Sequence, residues 1–195
     1  LISLFACNNE SSPYQEEIKH IDFLLTQNDS LQKVFASVDS AEVQSEFPRV
    51  DSIHKIMTGP TAPQEDKKYW TETIAALEYV HHPYMKYVGD VSKMSKKLQY
   101  SKMQLLTLRN SLADNKLDSA KAIEYLATET MALQDVALLV RKRIGPVKEA
   151  IAVWDTSEAR YLELLAKNDS LVGLAKIVEV DEEEAWRNEE WGINK

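Results

Sequence analysis

The chain has 195 residues and a formal net charge of −8, with 44% hydrophobic and 28% charged side chains. This length and composition are typical of one globular domain, and the acidic balance argues against a nucleic-acid partner, because nucleic-acid-binding domains carry a basic face. Only 5 glycines and 6 prolines occur. Turns are therefore expected to be few and helices long.

The N-terminal segment is an apolar run that ends at the only cysteine of the sequence, Cys7. The stretch Leu4-Phe5-Ala6-Cys7 resembles the lipobox of bacterial lipoproteins, in which a leucine three residues before the cysteine and a small residue just before it precede the cleavage point. An exported protein with one cysteine would otherwise carry an unpaired thiol. Lipidation of the cysteine removes that difficulty.

The resemblance implies how the protein is processed and where in the cell it is located. It implies that residues 1–6 are the end of a signal peptide, that Cys7 becomes the mature N-terminus with a covalent lipid, and that residues 7–13 are a polar tether. Asn8, the residue after the cysteine, resembles the residue at this position in lipoproteins that are sent to the outer membrane. The expected localisation is the cell envelope, with an anchor in the outer membrane, and no other cofactor is expected.

Residues 14–195 are predicted to form a single all-α domain, because apolar residues recur at spacings of three and four. The polar stretch Gln27-Asn28-Asp29-Ser30 predicts a break after the first helix, Pro48 predicts a kink, and Thr58-Gly59-Pro60 predicts a helix end. Five helices are expected, at about 14–27, 30–57, 65–113, 118–167 and 171–191.

The third and fourth helices carry the clearest pattern. Their stripes are Trp70, Ile74, Leu77, Tyr84, Val88, Val91, Leu98, Leu105 and Leu112 in the third, and Ile123, Leu126, Thr130, Leu133, Ala137, Val140, Ile144, Val147, Ile151, Trp154, Glu158, Tyr161 and Leu165 in the fourth. The fourth helix keeps a heptad spacing throughout, which is typical of coiled coils. With a short polar turn at 114–117, the pattern predicts an elongated bundle built on a long antiparallel hairpin, along which the first two helices pack.

Two prolines lie inside these long helices. Pro83 lies 32 residues before Asn115 and Pro146 lies 31 residues after it, so antiparallel pairing places both at nearly the same level. Proline removes a helical hydrogen bond and bends the axis. We expect a shared bend there, with Gly145 allowing close approach. In the alternative, the helices break at the prolines and form a bundle of shorter helices.

Two Glu-x-x-His motifs raise the possibility of a metal site. Helical bundles hold two metal ions when two helices each supply a glutamate and two others each supply Glu-x-x-His facing inward. The sequence contains Glu17-x-x-His20 and Glu78-x-x-His81. Further candidate carboxylates are Glu129, Glu158 and Glu163. Such spacings also arise by chance in a chain rich in glutamate. The alternative hypothesis is therefore a metal-binding helical bundle of this di-metal type, with a redox or metal-carrier role, and it is not the main one.

The remaining features favour a protein that binds another protein. The sequence contains no grouping of nucleophile, base and phosphate-binding loop of the kind that enzymes use. Trp186 and Trp191 lie in an acidic segment, and tryptophans often anchor interfaces, although they can equally pack on the bundle itself. The expected function is a lipid-anchored, non-catalytic spacer or interaction module of the envelope.

Overall fold

The computed structural model describes residues 13–59 and 67–166. Within these residues 92% are helical, no strand occurs, and four helices are present, which confirms the predicted all-α bundle. The helices are α1 (Gln15–Phe35), α2 (Ser40–Thr58), α3 (Lys67–Ala113) and α4 (Ser119–Ala166). The predicted helix at 171–191 lies outside the described residues, as does the side chain of Trp70.

The described helices form two compact units. The first unit contains α1 and residues 93–140, and the second contains residues 36–92 together with 141–166. Because α3 and α4 contribute to both, each unit is built from three helical segments. The prediction of a single domain stays a prediction.

In the first unit, α1 packs antiparallel to the second half of α3. The Tyr14 hydroxyl donates to the Leu117 carbonyl at 2.6 Å, and the Arg109 Nε donates to Asp22 at 2.6 Å. Further along, the Asn28 amide donates to the Leu98 carbonyl at 3.1 Å. Tyr14 just precedes α1 and Leu117 just follows α3. The residue numbers of the partners therefore decrease from Leu117 through Arg109 to Leu98 as one moves from the N-terminal end of α1 towards Asn28, as expected for antiparallel packing.

The predicted break at residues 27–30 is wrong. Asn28 is fully buried in the middle of α1, where its side chain donates to Leu98 and accepts from Gln32 Nε2 at 2.8 Å. Asn favours turns because its side chain can bond to nearby backbone, and here the partner on α3 replaces that local bond. The break lies at 36–39, where the Asp39 side chain caps α2 by accepting from the amides of Ala41 and Glu42.

The turn between α3 and α4 is the predicted one. Asn115 adopts a left-handed conformation with φ 53°, which asparagine tolerates better than most residues. The Asn115 and Lys116 amides donate to the carbonyls of Leu112 and Ser111, and these two bonds form a Schellman ending of α3. The Asp118 carboxylate then accepts from the Lys121 amide at 2.9 Å and caps α4.

In the second unit, α3 lies between partners on α2 and α4. The buried Tyr84 donates to Glu46 on α2 at 2.8 Å. Towards α4, Arg143 donates to Asp90 at 2.6 Å and Tyr79 donates to Glu149 at 2.8 Å. These pairs confirm an antiparallel α3–α4 hairpin in this unit.

The heptad stripe of α4 is confirmed over most of its length and is wrong at its start. Its buried members are Leu133, Val140, Ile144, Val147, Trp154, Tyr161 and Leu165. Ile123, however, is 59% exposed, and Ala122 is buried in its place. A straight helix drifts by about 20° per heptad relative to a strict seven-residue repeat, so the buried face moves to a neighbouring residue.

Both long helices continue through their prolines, since α3 includes Pro83 and α4 includes Pro146. The two prolines line one small surface depression, which confirms that they lie at the same level. A Cβ added at Gly145 would have no atom of another segment within 4 Å, so the expectation that Gly145 permits close approach is wrong. The bends at Pro83, Pro146 and Pro48 stay predictions.

Candidate functional site

In the second unit, α2 and α3 bring two histidines and two carboxylates together. Asp51 and His54 are three residues apart on α2, and Glu78 and His81 are three residues apart on α3, so each pair lies on one helix face. Because the helices run antiparallel, each carboxylate meets the histidine of the other helix. His81 Nε2 lies 2.9 Å from Asp51 Oδ1, and His54 Nε2 lies 2.8 Å from Glu78 Oε1. We call these four residues the His–carboxylate cluster.

The imidazoles of the cluster are held by packing as well as by hydrogen bonds. The rings of His54 and His81 stack with their centroids 3.9 Å apart and their planes 2° from parallel. Phe47 stacks against His81 at 6.0 Å. The His81 side chain is only 9% exposed, whereas that of Glu78 is 46% exposed. The cluster therefore reaches from the core to the surface.

The carboxylates of the cluster are held in their charged form. The hydrogen bond with His54 lowers the pKa of Glu78, and this outweighs the smaller effect of burial. Burial alone would raise the pKa of Asp51, but hydrogen bonds with Lys55 and His81 and the charges of those side chains outweigh it, so that this pKa is also lowered. Two ionised carboxylates beside two imidazoles form an environment that attracts cations.

The cluster also has the composition of a metal centre. Ligand atoms of His54, Glu78 and His81 all lie within 4.8 Å of one another. In the described part of the chain, this is the one group of three or more such side chains that converge in this way. Nitrogen and carboxylate oxygen together are the donor set of many zinc sites.

The structure assembles half of the metal site predicted from sequence. Glu78 and His81 meet in the second unit, but Glu17 and His20 belong to the first unit and line a groove between α1 and α4. The other candidate carboxylates are not in the cluster either: Glu158 pairs with Arg49 at 2.8 Å. Burial raises the pKa of Glu129, which lies in the first unit. Glu163 is likewise no member of the converging group.

His54 and Asp51 were missed by sequence reasoning. Asp51-x-x-His54 has the same spacing as Glu78-x-x-His81, and a search for either acidic residue before the histidine would have found it. That search would still not have paired the two motifs. The pairing depends on the register of α2 against α3, to which Tyr84 and Glu46 contribute one further contact.

A second feature is the open groove of the first unit, with a volume of about 570 Å³. Its α4 wall includes Ile123, Ala127 and Met131, and its α1 wall includes Glu16 and Glu17. Ile123 and Met131 are 59% and 68% exposed. The groove is therefore mainly apolar, with carboxylates on one side.

No protein-family model, curated protein or solved structure matches this chain. None of the four described helices has a stretch that is both long and apolar enough for a membrane span. Cys7, Trp186 and Trp191 lie outside the described residues, and their predicted roles stay predictions.

Proposed function

We propose that the protein is a lipid-anchored helical bundle of the cell envelope, attached to the outer membrane through Cys7, and that it acts as a non-catalytic interaction module for another envelope protein. The observation that supports the interaction is a row of exposed side chains on α4. We call this set, Ile123, Ala127, Met131 and Leu138, the α4 apolar row. Its members are spaced by four, four and seven residues, which places them on one face of the helix.

The row is part of a general asymmetry between the two units. Of the large apolar side chains that are exposed among the described residues, nine lie in the first unit: Phe23, Val34, Tyr100, Met103, Leu106, Ile123, Tyr125, Met131 and Leu138. Among the described residues of the second unit, the exposed large apolar side chains are Tyr79 and Met85 alone. Single exposed apolar residues are ordinary, but contiguous ones mark binding surfaces, and Ile123, Ala127 and Met131 line one groove.

The chemistry of the groove favours an amphipathic helix as the partner segment. Helices dock in apolar grooves through side chains spaced by three and four residues, and the three members of the α4 apolar row that line the groove, Ile123, Ala127 and Met131, are spaced by four. Glu17 on the α1 wall would attract lysine or arginine residues beside the apolar anchors, whereas Glu16 is already paired with Lys19 at 2.7 Å. The proposed partner is therefore an envelope protein with a basic amphipathic helix.

Photo-crosslinking in living cells tests this proposal. A photoreactive residue at Met131 is expected to capture one dominant envelope protein, whereas the same residue at Lys148, which is exposed on α4 in the second unit, is expected not to capture it. Capture of the same proteins from both positions, or of none from Met131, would contradict the proposed surface.

The anchor is tested separately through Cys7. Replacement of Cys7 by serine removes the thiol that the lipid requires, so the protein is expected to leave the membrane fraction and to lose labelling by a fatty-acid probe. Unchanged labelling and membrane association of Cys7→Ser would show that the anchor is wrongly assigned.

A further inference from the structure

We propose that His54, Glu78 and His81 bind one divalent transition-metal ion, with Asp51 positioning His81 for this role. This site differs from the two-metal site that the sequence suggested, because it needs neither Glu17 nor His20. It is also independent of the proposed partner surface, since all four residues lie in the second unit.

The distances suit a shared ion. Ligands about 2.0–2.1 Å from a tetrahedral zinc ion lie about 3.3 Å from one another. His54 Nε2 and Glu78 Oε1 are already 2.8 Å apart, and the three ligand atoms lie within 4.8 Å. A metal ion lies in the plane of each imidazole that binds it, and the rings of His54 and His81 are stacked in nearly parallel planes. At least one of the two rings therefore has to rotate out of the stack for both to bind the same ion.

Asp51 has the place of a supporting carboxylate. Metal-binding histidines commonly donate their second ring N–H to a carboxylate, which fixes the tautomer and the ring orientation. Asp51 bonds to His81 Nε2 at 2.9 Å and is not among the converging ligand atoms. In the proposed site it holds that nitrogen and leaves the other one for the ion.

The donor set and the exposure indicate the class of metal. Two imidazoles and one carboxylate favour zinc, cobalt, nickel or copper over calcium and magnesium, which prefer oxygen ligands alone. The partial exposure of Glu78 gives an entry path and leaves room for water at a fourth position. The stacked, hydrogen-bonded cluster could otherwise serve only to join α2 and α3, and in that case it would bind no metal.

Titration of the purified, chelator-treated full chain with Co²⁺ and Zn²⁺ distinguishes a metal site from a cluster that only joins α2 and α3. We expect one Co²⁺ per chain with the visible absorption of low-coordinate cobalt, displacement by Zn²⁺, and no displacement by excess Mg²⁺. A stoichiometry far from one, or cobalt spectra typical of the fully hydrated ion, would overturn the proposal.

Variants assign the ligands. His54→Gln and Glu78→Gln are expected to weaken Co²⁺ binding at least 100-fold, and Asp51→Asn about 10- to 100-fold, as for other supporting residues. His82→Ala is the matched control, because His82 is the exposed neighbour of His81, and it is expected to leave binding unchanged. Circular dichroism confirms that each variant is folded. Unchanged binding in folded His54→Gln, or equal loss in His82→Ala, would contradict the site.

Discussion

Asn28 shows how one polar side chain can be placed in a core. It is fully buried, and both ends of its amide are bonded, one to Leu98 on α3 and one to Gln32 on α1. We expect Asn28→Ala to lower the free energy of unfolding by about 1–3 kcal/mol, because it removes buried hydrogen bonds and leaves a small cavity. Denaturant unfolding followed by circular dichroism measures this.

The neighbouring Asp29 provides the control for Asn28. Asp29 pairs with Lys102 at 2.8 Å on the surface, and exposed ion pairs contribute about 0–1 kcal/mol. Asp29→Ala should therefore change stability far less than Asn28→Ala. If the two substitutions lowered the free energy of unfolding equally, the hydrogen bond from Asn28 to Leu98 would contribute little to stability.

Three buried tyrosines predict a loss of stability at high pH. Burial raises the pKa of Tyr84, Tyr87 and Tyr161, and the bond to Glu46 raises that of Tyr84 further. Tyrosines of the unfolded chain ionise near pH 10, while the folded protein keeps these protons. The contribution of these tyrosines to the free energy of unfolding is thus fully present below about pH 10 and falls as the pH rises above it.

Unfolding measurements between pH 8 and 12 check this dependence. Tyr84→Phe is expected to make the alkaline fall less steep, at a cost near neutral pH of about 1 kcal/mol from the lost bond to Glu46. Tyr100→Phe, at a position that is 64% exposed, should leave the profile unchanged. If the free energy of unfolding fell equally steeply with pH in the wild type and in Tyr84→Phe, Tyr84 would not contribute to the alkaline loss of stability.

At the scale of the element, α3 and α4 each contain a glycine that packing does not require. A Cβ at Gly89 or Gly145 would have no atom of another segment within 4 Å. Glycine inside a helix is less stable than alanine by about 0.5–1 kcal/mol, so Gly89→Ala is expected to raise stability by that amount. Thermal unfolding provides the measurement.

Gly145 should respond differently, because it precedes Pro146. The proline ring crowds the Cβ of the preceding residue when that residue is helical. Gly145→Ala is therefore expected to stabilise less than Gly89→Ala, or to destabilise. If the two substitutions were equally stabilising, the proline would impose no local restriction on this part of α4.

The sequence predicts the elements to the extent that their signals are local. The ends of α3 and α4 and the turn between them follow from the stripes and from Asn115 and Asp118, which act within a few residues. The end of α1 was misplaced because Asn28 is bonded to α3, a contact between residues 70 positions apart. Glu78 and His81 were found by their spacing, but their true partners depend on the packing of α2.

At the scale of the whole molecule, the two units contain different candidate binding sites. Among the described residues, most of the exposed large apolar side chains lie in the first unit, whereas the His–carboxylate cluster lies in the second. We expect that metal binding and partner binding can be abolished independently by mutation. Loss of metal binding in His54→Gln should leave capture of the partner from Met131 intact, and charge on the α4 apolar row should leave Co²⁺ binding intact.

The most direct test of the interaction module is crosslinking from Leu138 in living cells, with and without Ile123→Glu and Met131→Glu. Leu138 lies on the same face of α4 as both substituted residues. Capture of one envelope protein from Leu138 in the native sequence, and its loss in the folded double variant, is the predicted result. Undiminished capture in the double variant, or no specific capture at all, would contradict a partner surface on α4.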